Sequence, residues 1–157
     1  MKKPMAGKKA RVFLDSNVIL SGLFSDRGAP RLMLDVLSLN LPVLTGLTGR
    51  YNIIEIERNL SKKMPSVLPL YQSYLAQIKL EIIPLPSLKE VLLFKGAASE
   101  KDIPVLASAV DGRADYLVTG DKKLYASAKD KRNFSFKIIG PAEFLERILP
   151  GIFKSLS

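Results

Sequence analysis

Two aspartates follow short apolar runs, and each run predicts a buried strand. Asp15 follows residues 11–14, and Asp121 closes the stretch that begins with the run at residues 116–118. Buried parallel strands are near-continuous apolar runs, and open α/β sheets bind their ligands beyond the carboxyl ends of their strands. Two carboxylates at that edge repel each other unless a cation or a proton intervenes. The pattern therefore predicts a divalent-metal site at one edge of an α/β sheet.

Strand and helix patterns alternate along the chain. Strands are predicted near residues 11–15, 41–45, 80–84, 115–119 and 137–140. Helices are predicted near residues 29–39, 49–63, 66–79, 102–111, 122–129 and 141–149. Such alternation predicts a parallel sheet with helices on both faces, that is, a three-layer α/β/α sandwich with about five strands. We expect residues 1–10 to form a flexible basic tail and residues 11–157 to form a single domain.

The 157 residues include neither histidine nor cysteine. This excludes disulfides and thiolate chemistry, and it removes the commonest general base and zinc ligand. The absence of cysteine fits a reducing compartment, so we expect a cytoplasmic protein. No apolar run approaches the ~18 residues of a membrane span, and the basic N-terminus has no apolar segment of the secretory kind. We therefore expect no membrane association.

The chain is basic, with 24 lysines and arginines against 15 acidic residues and a net charge of +9. Five of the positive charges lie within the first eleven residues, and a second basic cluster follows Asp121. Its members are Lys122, Lys123, Lys129, Lys131, Arg132 and Lys137. Basic surface beside an acidic site suits a metal-dependent enzyme that acts on a polyanion. A solvated surface with a loose tail explains the same charges.

Each candidate site residue also has a purely structural interpretation. Asp15, Asp102 and Asp121 each stand where an aspartate would cap a following helix. A glutamate at position 55 or 57 of an amphipathic helix ordinarily faces solvent, and Asp115 fits a solvated loop. Polar neighbours of the aspartates would orient carboxylates or waters, or merely turn the chain; these are Ser16, Asn17 and Thr119. The aspartates are more informative together, because they are predicted at the same edge of the sheet.

Two motifs give the chain a resemblance to the PIN-domain family. The first is Val-Phe-Leu-Asp-Ser-Asn-Val-Ile-Leu-Ser-Gly at residues 12–22, and the second is Ala-Asp-Tyr-Leu-Val-Thr-Gly-Asp at residues 114–121. Between them stand a helical glutamate and the pattern Asp-x-x-x-Leu-Ala-x-Ala from residue 102. The resemblance extends over about residues 11–149 and is weakest over residues 60–100. It is greatest to the branch that comprises toxins of toxin–antitoxin pairs.

The resemblance implies a site in which four acids at the carboxyl edge of the sheet hold one or two Mg²⁺ or Mn²⁺ ions. The matching positions are Asp15, Glu55, Asp102 and Asp121, with Glu57 as the alternative to Glu55. Asp15, Asp102 and Asp121 would bind metal, and Glu55 would bind metal or position water. Further polar or acidic positions of the family match Asn17, Thr119 and Asp115. Many members have an Asp-rich stretch at the third acid, whereas residues 96–102 of this chain read Gly-Ala-Ala-Ser-Glu-Lys-Asp, with Lys101 directly before Asp102.

The function implied by the resemblance is metal-dependent hydrolysis of single-stranded RNA by the toxin of a toxin–antitoxin pair. A cognate antitoxin and a homodimer are the expected protein partners, and Lys122 and Lys123 would guide the RNA backbone. A catalytically silent RNA- or partner-binding module and a housekeeping RNA-processing nuclease are the alternatives. Nucleotide binding is disfavoured because neither phosphate-binding glycine motif is present. An aspartyl-phosphate phosphatase is disfavoured because Asn17 stands where a second aspartate is usual.

Overall fold

A five-stranded parallel sheet forms the centre of the protein, in a computed structural model that describes residues 9–129 and 134–156. The strands are β1 (Ala10–Leu14), β2 (Leu44–Gly49), β3 (Glu81–Ile83), β4 (Tyr116–Val118) and β5 (Lys137–Ile139). The helices are α1 (Ser16–Phe24), α2 (Ala29–Ser38), α3 (Arg50–Lys63), α4 (Leu68–Ile78), α5 (Leu88–Leu93), α6 (Ile103–Asp111), α7 (Lys122–Lys129) and α8 (Pro141–Leu156). A 3₁₀ turn, Pro65–Val67, precedes α4. β1 begins inside the expected tail at residues 1–10, of which residues 1–8 lie outside the described residues.

Helices cover both faces of the sheet, so the predicted three-layer α/β/α sandwich is confirmed. The residues of β1 alternate between two apolar clusters, as the two-residue period of a strand requires. Val12 and Leu14 pack in one cluster with residues of α1, α2, α3, α4 and α8. Phe13 packs in the other cluster with residues of α6 and Leu124 of α7. Because β1 is buried on both faces, its sequence is the continuous apolar run from which it was predicted.

Two helices, α1 and α5, were not predicted, and one strand lies several residues further along the chain than predicted. β2 occupies residues 44–49 rather than 41–45, over a segment rich in threonine and glycine. It pairs in parallel with both β1 and β3, so its extended form is fixed by its two neighbours rather than by its own composition.

The C-terminal helix α8 is longer than predicted and continues through Pro150. A proline inside a helix removes one backbone hydrogen bond. Ile152 is buried in the apolar cluster beyond this point, and that packing favours continuation of the helix. No helix in the described ranges is both long and apolar enough to cross a membrane.

The strand order β3-β2-β1-β4-β5 places β1 between β2 and β4. From β1 the chain proceeds to β2 and β3 on one side, and it returns to β4 and β5 on the other. Ligands of open α/β sheets bind at such a reversal of strand order, outside the carboxyl ends of the strands. At this point Asp15 N donates to Val118 O at 3.0 Å, so the residue after β1 lies beside the end of β4. The fold thus brings the two acidic motifs to one crevice.

Candidate functional site

Buried polar side chains are concentrated at the carboxyl edge of the sheet. Over residues 9–129 and 134–156, every buried polar or charged side chain belongs to a residue that ends or follows β1, β2 or β4, or to a helix beside them. These residues are Asp15, Ser16, Thr48, Asn52, Ser108 and Thr119. Burial of polar groups is costly unless they are hydrogen-bonded. Such a concentration at the reversal of strand order marks this edge as the candidate site.

The carboxylate of Asp15 is the centre of the site and accepts four hydrogen bonds. Its Oδ1 accepts from Ser16 N at 2.8 Å and from Asn52 Nδ2 at 3.2 Å. Its Oδ2 accepts from Thr119 Oγ1 at 2.7 Å and from Asn17 Nδ2 at 3.3 Å. Asp15 is also the N-cap of α1, so the capping interpretation and the site interpretation apply to the same side chain. Donors from three different elements fix its orientation.

Burial raises the pKa of Asp15 above its ordinary value, since the charged form is desolvated. Hydrogen bonds from Thr119 and from the backbone of Ser16 act in the opposite direction. The negative charges of Asp102 and Glu55 raise the pKa of Asp15 further. Glu55 and Asp102 are therefore near enough to repel Asp15, and a cation beside Asp15 would offset that repulsion.

Glu55 joins the site through Ser16. The hydroxyl of Ser16 donates to Glu55 Oε1 at 2.8 Å. The alternative acid Glu57 acts elsewhere. Burial raises the pKa of Tyr71 on α4, and the charge of Glu57 raises it further. The structure therefore brings Glu55, rather than Glu57, beside Asp15.

Asp102 precedes α6 and is held by a turn rather than by the helix. Ser99 Oγ donates to Asp102 Oδ2 at 2.8 Å, and the Asp102 side chain makes no capping hydrogen bond to α6. The phenol of Tyr51 on α3 donates to the backbone oxygen of Lys101 at 3.1 Å. This bond attaches the turn that carries Asp102 to the helix that carries Glu55.

Asp121 caps α7, as its structural interpretation predicts. Its Oδ1 accepts from Lys123 N at 2.9 Å and from Leu124 N at 3.4 Å. Its own backbone N donates to Thr119 Oγ1 at 3.0 Å, the hydroxyl that also contacts Asp15. Gly120 N donates to Asn17 Oδ1 at 2.8 Å, which ties the same loop to α1. The loop that carries the last acid is thus attached to the first acid and its neighbour.

Asp115 lies apart from this group. It precedes β4, and its Oδ2 accepts from Arg11 N at 2.8 Å. Arg11 is near the start of β1, so Asp115 is at the amino end of the sheet, one strand length from Thr119. The structure does not bring it to the carboxyl edge. Lys122 and Lys123 begin α7 with exposed side chains, whereas Lys131 and Arg132 of the basic cluster lie outside the described residues.

The donor set suits a hard, hydrated cation. Within the part of the chain that the structure describes, no three acidic side chains are grouped closely enough to hold a metal ion by themselves. Mg²⁺ keeps several waters and takes only one or two direct carboxylates. Asp15 is buried and repelled by two further carboxylates, and a divalent cation bound partly through water would offset that repulsion. The residues therefore fit Mg²⁺ or Mn²⁺.

Asn52 is the site residue that the sequence analysis missed. It is fully buried on α3 and donates to both Asp15 Oδ1 and Ser16 Oγ. A signal was present in the helical spacing, because Asn52 lies four residues before Ile56 and so shares the apolar face of the helix. A lone asparagine on an apolar helix face requires a buried partner.

Comparison with known families decides the identity of the fold. The sequence pattern of the family described as PIN domain matches residues 11–123. The chain belongs to the PIN-domain family. The matched range covers well over half of the chain and includes the four predicted acids. No curated protein matched the chain.

Solved structures with the same fold include three from different organisms. VapBC2 from Rickettsia felis, solved bound to a DNA fragment from its promoter, has a TM-score of 0.58 and 19% identity, with 83% of this chain and 98% of that chain covered. PAE2754 from Pyrobaculum aerophilum has a TM-score of 0.61 and 16% identity, with 94% of each chain covered. FitAcB from Neisseria gonorrhoeae has a TM-score of 0.59 and 16% identity, with 83% and 97% covered. At these identities the likeness is one of fold.

Proposed function

We propose that this PIN domain is a Mg²⁺- or Mn²⁺-dependent endoribonuclease that hydrolyses phosphodiester bonds of single-stranded RNA. The observation that carries the proposal is the buried carboxylate of Asp15, which is fixed by four donors and repelled by Glu55 and Asp102. A carboxylate buried merely for stability would be paired with a cationic side chain. This one has two acids for neighbours, which is the arrangement a metal ion would complete.

Asp15, Asp102 and Asp121 would hold the ion, and Glu55 would hold it as well or position a water. A bound divalent ion makes water more acidic and stabilises negative charge on phosphoryl oxygens. The protein's own contribution is orientation. Thr119 and Asn17 fix the orientation of the Asp15 carboxylate. With neither histidine nor cysteine in the sequence, this chain has no imidazole or thiolate to activate water instead.

Lys122 and Lys123 would guide the RNA backbone to the site. They occupy the first turn of α7, directly after Asp121, and no acidic residue lies in that turn. Cations at a helix N-terminus oppose the helix dipole, at a cost of a few tenths of a kcal/mol. A phosphate bound there would interact favourably with the lysines. An anionic substrate would therefore account for two lysines at the N-terminus of a helix.

The biological role that we propose is that of a cytoplasmic toxin, as in the branch of the family that the sequence resembles. A cognate antitoxin and a second copy of the chain are the proposed protein partners. Four leucines within residues 85–93 are more than half exposed, which suits contact with a protein; they are Leu85, Leu88, Leu92 and Leu93. VapBC2, which has the same fold, was solved bound to a fragment of promoter DNA. Growth arrest on expression, relieved by the product of an adjacent gene, would identify the toxin.

The decisive experiment is cleavage of a mixed single-stranded RNA pool in Mn²⁺, in Mg²⁺ and in EDTA. Wild type is compared with Asp15→Asn and Asp121→Asn. Asp35→Asn serves as the control because Asp35 is an exposed acid of α2 whose contact is an ion pair with Arg31. We expect metal-dependent cleavage by wild type and by the control, and its loss in both site variants.

The alternative function is a silent module that binds RNA or a partner without cleaving. A folded wild type that neither binds Mn²⁺ nor cleaves in any of the three buffers would favour it. A housekeeping RNA-processing nuclease would cleave as proposed, yet its expression would not arrest growth. All four acidic positions are filled in this chain, and this favours the enzyme.

A further inference from the structure

Asn52 uses both hydrogens of its amide group inside the site. One is donated to Asp15 Oδ1, at 3.2 Å between nitrogen and oxygen, and the other to Ser16 Oγ, at 2.9 Å. A carboxylate only accepts hydrogen bonds, so the amide nitrogen, not its oxygen, must face Asp15. The orientation of the side chain is therefore determined by its partners.

The contact with Ser16 extends the influence of Asn52 to Glu55. A serine hydroxyl has one hydrogen to donate. Because Asn52 donates to Ser16 Oγ, that hydrogen is directed away from Asn52 and toward Glu55 Oε1, which lies at 2.8 Å. One amide group thus sets the positions of two acids, directly for Asp15 and through Ser16 for Glu55.

This arrangement leaves the amide oxygen of Asn52 without a partner. The oxygen is buried, and no described residue donates a hydrogen bond to it. It lies over Gly49, where an added Cβ would stand 2.8 Å from it, and the same Cβ would stand 3.0 Å from Ser108 Oγ. A buried acceptor without a donor costs stability. A residue selected for packing alone would be apolar here, as Ile53 and Ile56 are on the same helix.

We propose that Asn52 is a positioning residue of the site, which holds the carboxylates of Asp15 and Glu55 in a fixed relative orientation for the metal ion. This inference rests on the proposed nuclease function and adds to it a residue outside the four acids. Partners that orient metal-binding side chains typically affect metal affinity or activity by ~10- to 100-fold when they are lost. We expect the loss of the Asn52 amide to change Mn²⁺ affinity by a factor in that range.

The test compares Asn52→Leu, Ser16→Ala and the double variant with wild type. Leucine has the branched shape of asparagine, with a larger volume, and removes the donors. Asn59→Ala is the matched control, since Asn59 is the exposed asparagine of the same helix. Mn²⁺ dissociation constants are measured by calorimetry without RNA, kcat and KM by RNA cleavage, and folding by thermal unfolding.

We expect Asn52→Leu to weaken Mn²⁺ binding about tenfold or more and to lower kcat, while KM for RNA changes less than about twofold. The double variant should lose little beyond Asn52→Leu, because both changes break one chain of hydrogen bonds. Asn59→Ala should match wild type in every measurement.

Wild-type Mn²⁺ affinity and kcat in Asn52→Leu would overturn this inference and leave the nuclease standing. A wild type that neither binds Mn²⁺ nor cleaves would overturn the nuclease and this inference with it. If Asn52→Leu does not fold, Ser16→Ala decides the question. Unchanged Mn²⁺ affinity and kcat in Ser16→Ala would contradict the proposed role of the hydrogen bonds that run from Asn52 through Ser16 to Glu55.

Discussion

The hydroxyl of Thr119 donates a 2.7 Å hydrogen bond to Oδ2 of Asp15 and thereby joins residues that lie 104 positions apart in the sequence. The same hydroxyl oxygen accepts from Asp121 N at 3.0 Å. The side chain of Thr119, directly after β4, therefore orients the first acid and anchors the loop that carries the last one. The two acidic motifs form one site largely through this threonine.

Replacement of Thr119 by valine should cost about 1–2 kcal/mol of unfolding free energy, because it removes a buried hydrogen bond to a charged group. The bond lowers the pKa of Asp15, so its loss raises that pKa further and disfavours the ionised carboxylate. Thermal unfolding and RNA cleavage at pH 7 measure the two effects. Thr119→Ser keeps the hydroxyl and should retain most of the activity. An activity loss in the serine variant with none in the valine variant would show that the methyl group, not the hydroxyl, matters.

The sheet and the acids at its edge were predictable because the sequence carries them locally. β1 and β4 are continuous apolar runs, and parallel strands of one sheet deliver the residues that follow them to one edge. The prediction that Asp15 and Asp121 share an edge needed no knowledge of the packing. It needed only the strand order to place β1 beside β4, which the structure confirms.

What the sequence could not supply depends on tertiary contacts. β2 is short of the usual strand-forming residues and is held by its neighbours on both sides. The choice between Glu55 and Glu57 depends on the rotation of α3 about its axis. Asn52 belongs to no recognisable motif, because its role depends on hydrogen bonds to Asp15 and Ser16, which lie on other elements. The helical spacing marks Asn52 as buried, but the residues that it contacts are decided only when the elements pack.

Gly49 should be intolerant of alanine for a steric reason. Its backbone φ of −90° is open to any residue, but an added Cβ would stand 2.8 Å from Asn52 Oδ1 and 3.1 Å from Ser108 Cβ. Overpacking of this kind costs about 1–3 kcal/mol. We expect Gly49→Ala to lower the thermal midpoint and the Mn²⁺ affinity together, since Asn52 must move.

Gly151→Ala is the matched control for this variant. Nothing lies within 4 Å of an added Cβ at Gly151, which is inside α8. Alanine is the better helix former by up to about 1 kcal/mol, so this change should stabilise the protein. If Gly49→Ala were as stable as wild type and bound Mn²⁺ with the same affinity, the close packing of Asn52 over Gly49 would be refuted.

Asp15→Asn should weaken the pH dependence of stability in metal-free buffer. The pKa of Asp15 is raised on folding, so the folded state binds its proton more tightly than the unfolded chain does. The stability gained from that proton is complete below the unfolded pKa of about 4 and is lost as pH rises through the folded value. Asparagine stays neutral and escapes this loss, although its amide oxygen replaces only one of the two oxygens that accept hydrogen bonds. The thermal midpoint of wild type should therefore fall more steeply than that of Asp15→Asn between pH 4 and pH 7.

Addition of Mn²⁺ should stabilise wild type more than Asp15→Asn. A ligand that binds only the folded state stabilises it by about 2.7 kcal/mol at 100 times its dissociation constant. Wild type should gain accordingly, whereas Asp15→Asn should gain much less. Equal gains in both proteins would mean that Mn²⁺ binds elsewhere.

Asp111 at the end of α6 should make the packing of α5 on α6 sensitive to pH. Partial burial and the neighbouring carboxylate of Glu90 on α5 raise the pKa of Asp111 to about 6. Because this pKa is raised, the stabilising contribution of the protonated form is complete below about pH 4 and is lost as pH rises through about 6. The side chain is exposed, so solvent screening keeps the effect below about 1 kcal/mol.

Asp111→Asn should remove the loss by keeping a neutral side chain beside Glu90. Thermal midpoints between pH 4 and pH 8 measure this, with Asp26→Asn in the exposed α1–α2 loop as the control. A wild type whose midpoint fell no more steeply than that of Asp111→Asn over this range would contradict the pairing of Asp111 with Glu90. RNA cleavage by Asp111→Asn should equal that of wild type, because the pair lies outside the carboxyl-edge site.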